Sequence, residues 1–177
     1  MRLFHFSDNP AIARFEARAV AVPSQRKSGM DWLNGPLVWA IDDWHQPMYL
    51  FPRECPRILL WRTADTSAED ARRFFDGRDC RMIAHIEWAW YERFAAAQIH
   101  RYDLPADGFE DIGDGGMWVH RGGVEPIGIE TLTDLPGALR ETQVELRIMK
   151  SLRPLKGVWE TTIHFSGVRL RNAVGWE

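Results

Sequence analysis

The stretch IHRYDLPADGFEDIGDGGMWVHRGGVEPIGIETL, residues 99–132, decides the fold class. Ile99 to Leu104 reads as a strand. Pro105 to Gly116 is acidic and glycine-rich, a turn-forming composition. Met117 to His120 and Val124 to Leu132 read as one or two further strands around Gly122-Gly123. Strand follows strand here with no helix between them, which a doubly wound parallel sheet does not allow.

The flanking sequence agrees. Leu3 to Phe6, Arg14 to Ala21, Leu37 to Ile41, Arg57 to Arg62, Arg81 to Glu87, Val144 to Met149 and Thr161 to Leu170 read as extended. Helices are expected from Thr66-Ser67-Ala68-Glu69-Asp70 through Phe75, with an acidic first turn and a stop at Gly77, over Trp88 to Ala97, and over Leu135 to Glu141. A short helix capped by Asp42 or Asp43 is expected to run through Tyr49, with Pro47 in its first turn. Leu152 to Trp159 reads as irregular, and the polar run from Pro23 to Gly35 as a mobile loop beside a site. Strands outnumber helices, so the expected class is α+β: a mostly antiparallel or split sheet with a few short helices.

A chain of 177 residues suits one domain, and 1–177 is expected to be a single globular unit. The net charge of −3, with 22 basic and 25 acidic residues, argues against general nucleic-acid binding through phosphates. Cys55 and Cys80 form no Cys-x-x-Cys pair, so no zinc knuckle or dithiol site is expected. The N-terminus shows no leader-like apolar run, and no stretch has the length to span a bilayer; a cytoplasmic location without membrane contact is the expectation. Nine tryptophans favour a packed core or an aromatic-lined pocket. The oligomeric state is not legible.

No phosphate loop, Gly-x-Gly-x-x-Gly, Gly-x-Ser-x-Gly, His-Glu-x-x-His or kinase signature is present. The six histidines have no close ligand spacing, so no metal site is expected. His5 and Ser7, two apart on one strand, point the same way and suit hydrogen bonds to a sugar hydroxyl or a phosphate. His45 and Tyr49, four apart, share a face if residues 43–50 are helical, an arrangement that can stack on a flat ring. Glu125, Glu130 and Glu145 are candidates for stabilising a positive, sugar-like transition state. Arg53, Arg57, Arg169 and Arg171 form an alternative set for a small anionic ligand. A third reading is a partner-binding protein with exposed tryptophans.

Leu3-Phe4-His5-Phe6-Ser7, Val38-Trp39-Ala40-Ile41-Asp42, Leu50 to Arg57, Val144-Glu145-Leu146-Arg147 and Phe165 to Ala173 together resemble a bacterial family of short proteins defined as a domain of unknown function. That resemblance implies a single-domain protein and supplies no activity. A more remote likeness is to the ADP-ribosyltransferase-like arrangement. It implies a first-strand histidine on the nicotinamide-side ribose, a tyrosine stacked on nicotinamide, and a glutamate steadying the oxocarbenium-like sugar. His5, Tyr49 and Glu125 match these roles as catalytic residues, with NAD as the implied cofactor and Ser7, His45, Arg53, Arg169 and Arg171 as further ligand contacts. Trp118, Val124 and Pro126 are also similar to a Trp-x-x-x-x-x-Val-x-Pro pattern of NAD-using RNA 2′-phosphotransferases. The chain departs from both patterns: it has no Arg-His-His run, and Glu125 has no Glu-x-Glu or Gln-x-Glu context.

Overall fold

The computed structural model describes residues 1–23 and 25–177; Ser24, inside the expected polar loop, lies outside the described residues. The strands are β1 (Leu3–Ser7), β2 (Val38–Asp42), β3 (Arg57–Trp61), β4 (Met82–Glu87), β5 (Ile99–Leu104), β6 (Glu110–Asp111), β7 (Met117–His120), β8 (Gly128–Leu132), β9 (Val144–Met149) and β10 (His164–Val168). The helices are α1 (Ala68–Phe75), α2 (Trp88–Ala95) and α3 (Leu135–Glu141). The fold is α+β with two mostly antiparallel sheets. The chain forms two compact units, one from residues 1–46 and 100–131 and the other from 47–99 and 132–177.

The first unit holds a six-stranded sheet in the order β6-β7-β2-β1-β5-β8. β1 lies inside it, antiparallel to β2 (Leu3 opposite Asp42) and to β5 (His5 opposite Tyr102). Strand alternation sends Leu3 and His5 to one face and Phe4 to the other. On the Leu3 face, Val38, Ala40, Tyr102 and Leu104 pack with Phe15, Phe109 and Val124 into one core. Arg14 to Ala21, expected as a strand, instead makes only isolated bridges, Phe15 with Val124 and Arg18 with Leu37. The expected strand over Val124 to Leu132 is likewise broken. Val124 bridges to Phe15, Pro126 has no N–H to give a ladder, and pairing resumes in β8.

The short helix expected over residues 43–50 is a single 3-10 turn, Gln46–Tyr49. At three residues per turn, side chains four apart do not share a face, so the geometric reason for joining His45 with Tyr49 lapses. Asp42 accepts the His45 backbone N–H at 2.7 Å in the turn that leads into Gln46–Tyr49, and so lies three residues before the position that would cap it. The stretch Leu152 to Trp159, expected to be irregular, falls almost wholly in a 3-10 helix, Arg153–Glu160, begun by Arg153-Pro154.

The second unit holds a four-stranded sheet in the order β10-β3-β4-β9, with only β4 and β9 parallel. β3 (RILLW) and β4 (MIAHIE) are buried at every position, as central strands covered on both faces must be. Ile58, Leu60 and Ile83 pack against Phe75 of α1 and against Leu152, Val158 and Ile163. Phe51 stacks on Phe94 of α2 at 5.0 Å. α1 starts as its sequence predicts: Ser67 accepts the Asp70 N–H at 3.1 Å, and Glu69 and Asp70 fill the first turn. Among the described residues, no helix is long and apolar enough to cross a membrane.

Two buried polar groups of β4 stabilise this unit. Glu87, fully buried, accepts the backbone N–H of Leu152 at 3.0 Å and of Val174 at 3.0 Å, fastening two distant segments to the strand end. Glu87→Ala leaves both donors without that acceptor and is expected to cost about 2–3 kcal/mol, read from urea unfolding. His85 donates Nδ1–H to the Ile58 carbonyl at 3.2 Å, and burial holds its pKa down at about 4, from an ordinary 6.5. Between these values the unfolded state binds the extra proton. Stability is therefore full above about pH 6.5 and falls by up to about 3 kcal/mol as the pH drops toward 4. Urea unfolding midpoints between pH 7 and 4 check this, with the slope reduced in His85→Gln.

Candidate functional site

The first-strand histidine is held in one orientation. A carbonyl only accepts, so the 2.8 Å contact from His5 Nδ1 to the Trp39 oxygen means that Nδ1 carries the proton. In the neutral ring Nε2 is then the acceptor nitrogen. The His5 ring lies 4.5 Å from that of Phe15, which meets Tyr102 edge-on at 5.1 Å. Tyr102, buried and opposite His5 in the sheet, donates its hydroxyl to the Asn9 carbonyl at 2.6 Å and accepts the Ile12 N–H at 3.1 Å. It thereby fixes residues 9–12 over the sheet. Between this loop and residues 126–129 lies a largely apolar depression of about 410 Å³, lined by Ile12, Tyr102, Pro126 and Ile127 among others.

The other predicted residues of this unit have defined partners. Ser7 Oγ accepts the Asn9 N–H at 3.1 Å, a local turn contact. Glu125 is exposed and ion-paired with Arg14 at 3.0 Å, beside the Phe15–Val124 bridge. Glu130 pairs with Arg101, whose Nη1 donates to Gln46 Oε1 at 2.7 Å while its guanidinium covers the Phe4 ring.

The structure adds a pair that sequence spacing did not single out. Asp42, ending β2, accepts from His45 Nδ1 at 2.9 Å (Oδ1) and 3.0 Å (Oδ2), in addition to the backbone N–H. Gly116 lies directly against it, and its carbonyl accepts the Asp42 N–H at 2.9 Å. A Cβ on Gly116 would sit 2.1 Å from His45 Nδ1 and 2.6 Å from Asp42 Oδ2, at a φ of +71°. The Asp-x-x-His spacing at a strand end was the available signal. The glycine that admits the pair is remote in sequence.

Tyr49 belongs to the four-stranded unit, in its 3-10 turn, where its ring lies 5.8 Å from the Arg57 guanidinium. Arg57 is buried and donates Nε–H to the Met48 carbonyl at 2.7 Å and Nη1–H to that of Cys55 at 2.9 Å. Burial draws its pKa down to about 10, so it stays charged at neutral pH, and it pins the loop before β3. Arg53 offers its carbonyl to Arg169 Nε at 3.3 Å. Arg169 and Arg171 each pair with Glu54 at 3.2 Å, and Asn172 donates to the Glu54 carbonyl at 2.8 Å. The Asn172 amide and then these arginines hold the Glu54 carboxyl below its usual range. Burial raises the pKa of the Cys55 thiol to about 12 and that of Cys80 as well, the opposite of an activated nucleophile. Among the described residues, no three His, Cys, Asp or Glu side chains gather in a way that could hold a metal ion.

Gly116→Ala tests how tightly the Asp42–His45 pair is built. Its positive φ and the side-chain clash together are expected to cost about 2–3 kcal/mol. Gly113→Ala, at φ +65° with nothing within 4 Å of the new Cβ, carries the backbone strain alone. Thermal unfolding should rank Gly116→Ala clearly below Gly113→Ala, and the His45 ring resonances should shift only in the former.

No curated protein and no solved structure matches this chain. A family model does match, over residues 4–173, nearly the whole chain. It takes in β1 with His5, the Asp42–His45 segment, the Arg57 loop and the Glu54 contacts of the C-terminal turn. The chain belongs to the family of unknown function DUF6886.

Proposed function

We propose that the six-stranded unit binds NAD or a related nucleotide in the manner of an ADP-ribosyltransferase-like domain. The observation that carries this reading is the setting of His5. It lies on an interior strand, its proton is fixed on Nδ1 by the Trp39 carbonyl, and its cross-strand neighbour Tyr102 is one of the residues that line an apolar depression whose lining does not include His5 itself. A neutral imidazole in that tautomer accepts a hydrogen bond from a ribose hydroxyl, and apolar walls suit a flat heterocycle.

Glu125 has the carboxylate that a developing positive sugar needs. Its exposed pair with Arg14 is worth about 0–1 kcal/mol, so a ligand can exchange it at little cost. The alternative arginine set is less favoured, because Arg169 and Arg171 already hold the Glu54 carboxylate and Arg57 is committed to backbone carbonyls. Both cysteines are free thiols, which fits a reducing compartment such as the cytoplasm.

A thermal-shift titration with NAD, ADP-ribose, simple nucleotides and inorganic phosphate tests the proposal. A ligand that binds only the folded state raises the midpoint, by about 2.7 kcal/mol of added stability at a hundredfold excess over Kd. The expected result is a rise with NAD or ADP-ribose that His5→Ala abolishes and that Ile127→Arg weakens. No rise with either ligand at millimolar concentration would remove the nucleotide reading.

A further inference from the structure

The six-stranded sheet ends differently on its two sides. Its β6 edge is two residues long and carries Glu110 and Asp111, both exposed. A short edge of like charges repels another strand. The β8 edge has no such protection. It is five residues long, and Gly128, Ile129, Glu130 and Thr131 are all exposed. Ile127 and Ile129 stand two apart, line the same depression, and are 71% and 50% exposed. Residues 127–132 contain one charge, Glu130, and Arg101 of the neighbouring β5 already pairs with it. An open strand edge flanked by two exposed isoleucines is a template for another strand.

Charge decides which strand fits. A β6 edge would bring Glu110 and Asp111 against Glu130, and would join copies head to tail without closure. A second β8 closes on itself about a two-fold axis. Antiparallel pairing centred on Gly128 sets Ile127 of each copy opposite Ile129 of the other, and Glu130 opposite Pro126, so no acid faces an acid. Centring the pair on Ile129 would leave a single isoleucine contact and set Ile127 against Thr131. Centring it on Glu130 would oppose two carboxylates. We infer that two copies of this chain associate through their β8 edges, antiparallel about Gly128, joining the two six-stranded sheets into one. All four isoleucines then lie on one face, and the apolar wall of each depression is extended by those of the other copy. The association does not rest on the nucleotide reading.

Sedimentation equilibrium of the wild-type chain, with no ligand added, reads the mass as concentration rises. A contact this short makes a small interface, so the dimer is concentration-dependent. The expected result is a rise from 20.5 kDa toward twice that value at high micromolar concentration. Ile129→Glu and Ile127→Lys should each hold the chain at 20.5 kDa, with far-ultraviolet circular dichroism unchanged because both positions are exposed. An equimolar mixture of the two variants should regain the dimer, since the new carboxylate of one copy then faces the new ammonium of the other. A wild-type chain that stays monomeric, or a dimer that survives Ile129→Glu, would overturn the inference. A mixture that stays monomeric would overturn the pairing about Gly128, which is the register that puts residue 129 opposite residue 127.

Discussion

Every buried backbone donor and acceptor needs a partner, and in a chain of short elements the irregular segments must find theirs in side chains. That constraint organises both units. Glu87 supplies acceptors to the N–H groups of Leu152 and Val174; Arg57 supplies donors to the carbonyls of Met48 and Cys55. Tyr102 gives and takes one bond each with Asn9 and Ile12, and Asp42 satisfies His45. Each of these polar side chains ties a loop to a strand. The tight loops beside His5 and around His45 exist because a side chain rooted in a sheet holds them.

What was legible in the sequence follows the range of the forces involved. β3 and β4 were readable because a run such as Ile58-Leu59-Leu60-Trp61 has no polar position to expose. α1 was readable because Ser67, Glu69 and Asp70 form its cap within one turn. The α+β class followed from strands without intervening helices. Local pattern failed where a distant partner decided the outcome. Arg14 to Ala21 alternates like a strand, yet Phe15 and Arg18 make isolated bridges and Val20 a single backbone bond to Asn34, with no continuous ladder. Val124 and β8 looked continuous until Pro126 removed a donor between them. The 3-10 turn at Gln46–Tyr49 broke the helical spacing on which the His45–Tyr49 face depended.

The candidate site was legible in residue type and not in arrangement. His5 stood out as a first-strand histidine, and its hydrogen bond to Trp39 could not be read from spacing because it spans two strands. Asp42 and His45 were both noted, one as a cap and the other as a ring-stacking residue. Their pairing depends on Gly116, which reaches β2 only because β7 lies beside it in the sheet. The arginines of the C-terminal run looked free to take an anion. In the fold the anion they take is Glu54, a side chain of the same chain.

The interleaving of the two units has a consequence for synthesis. Residues 1–46 emerge from the ribosome ahead of the rest, but their sheet lacks β5, β7 and β8 until residue 132 has been made. β1 and β2 must wait with unpaired edges while most of the other unit's first segment is translated. That segment in turn lacks β9 and β10. The first unit can close only once residue 132 has been made and the second only once β10 has, so the chain commits to structure late, through contacts of long sequence separation. Such a chain is expected to fold slowly and to depend on protection of its open strand edges until β10 arrives.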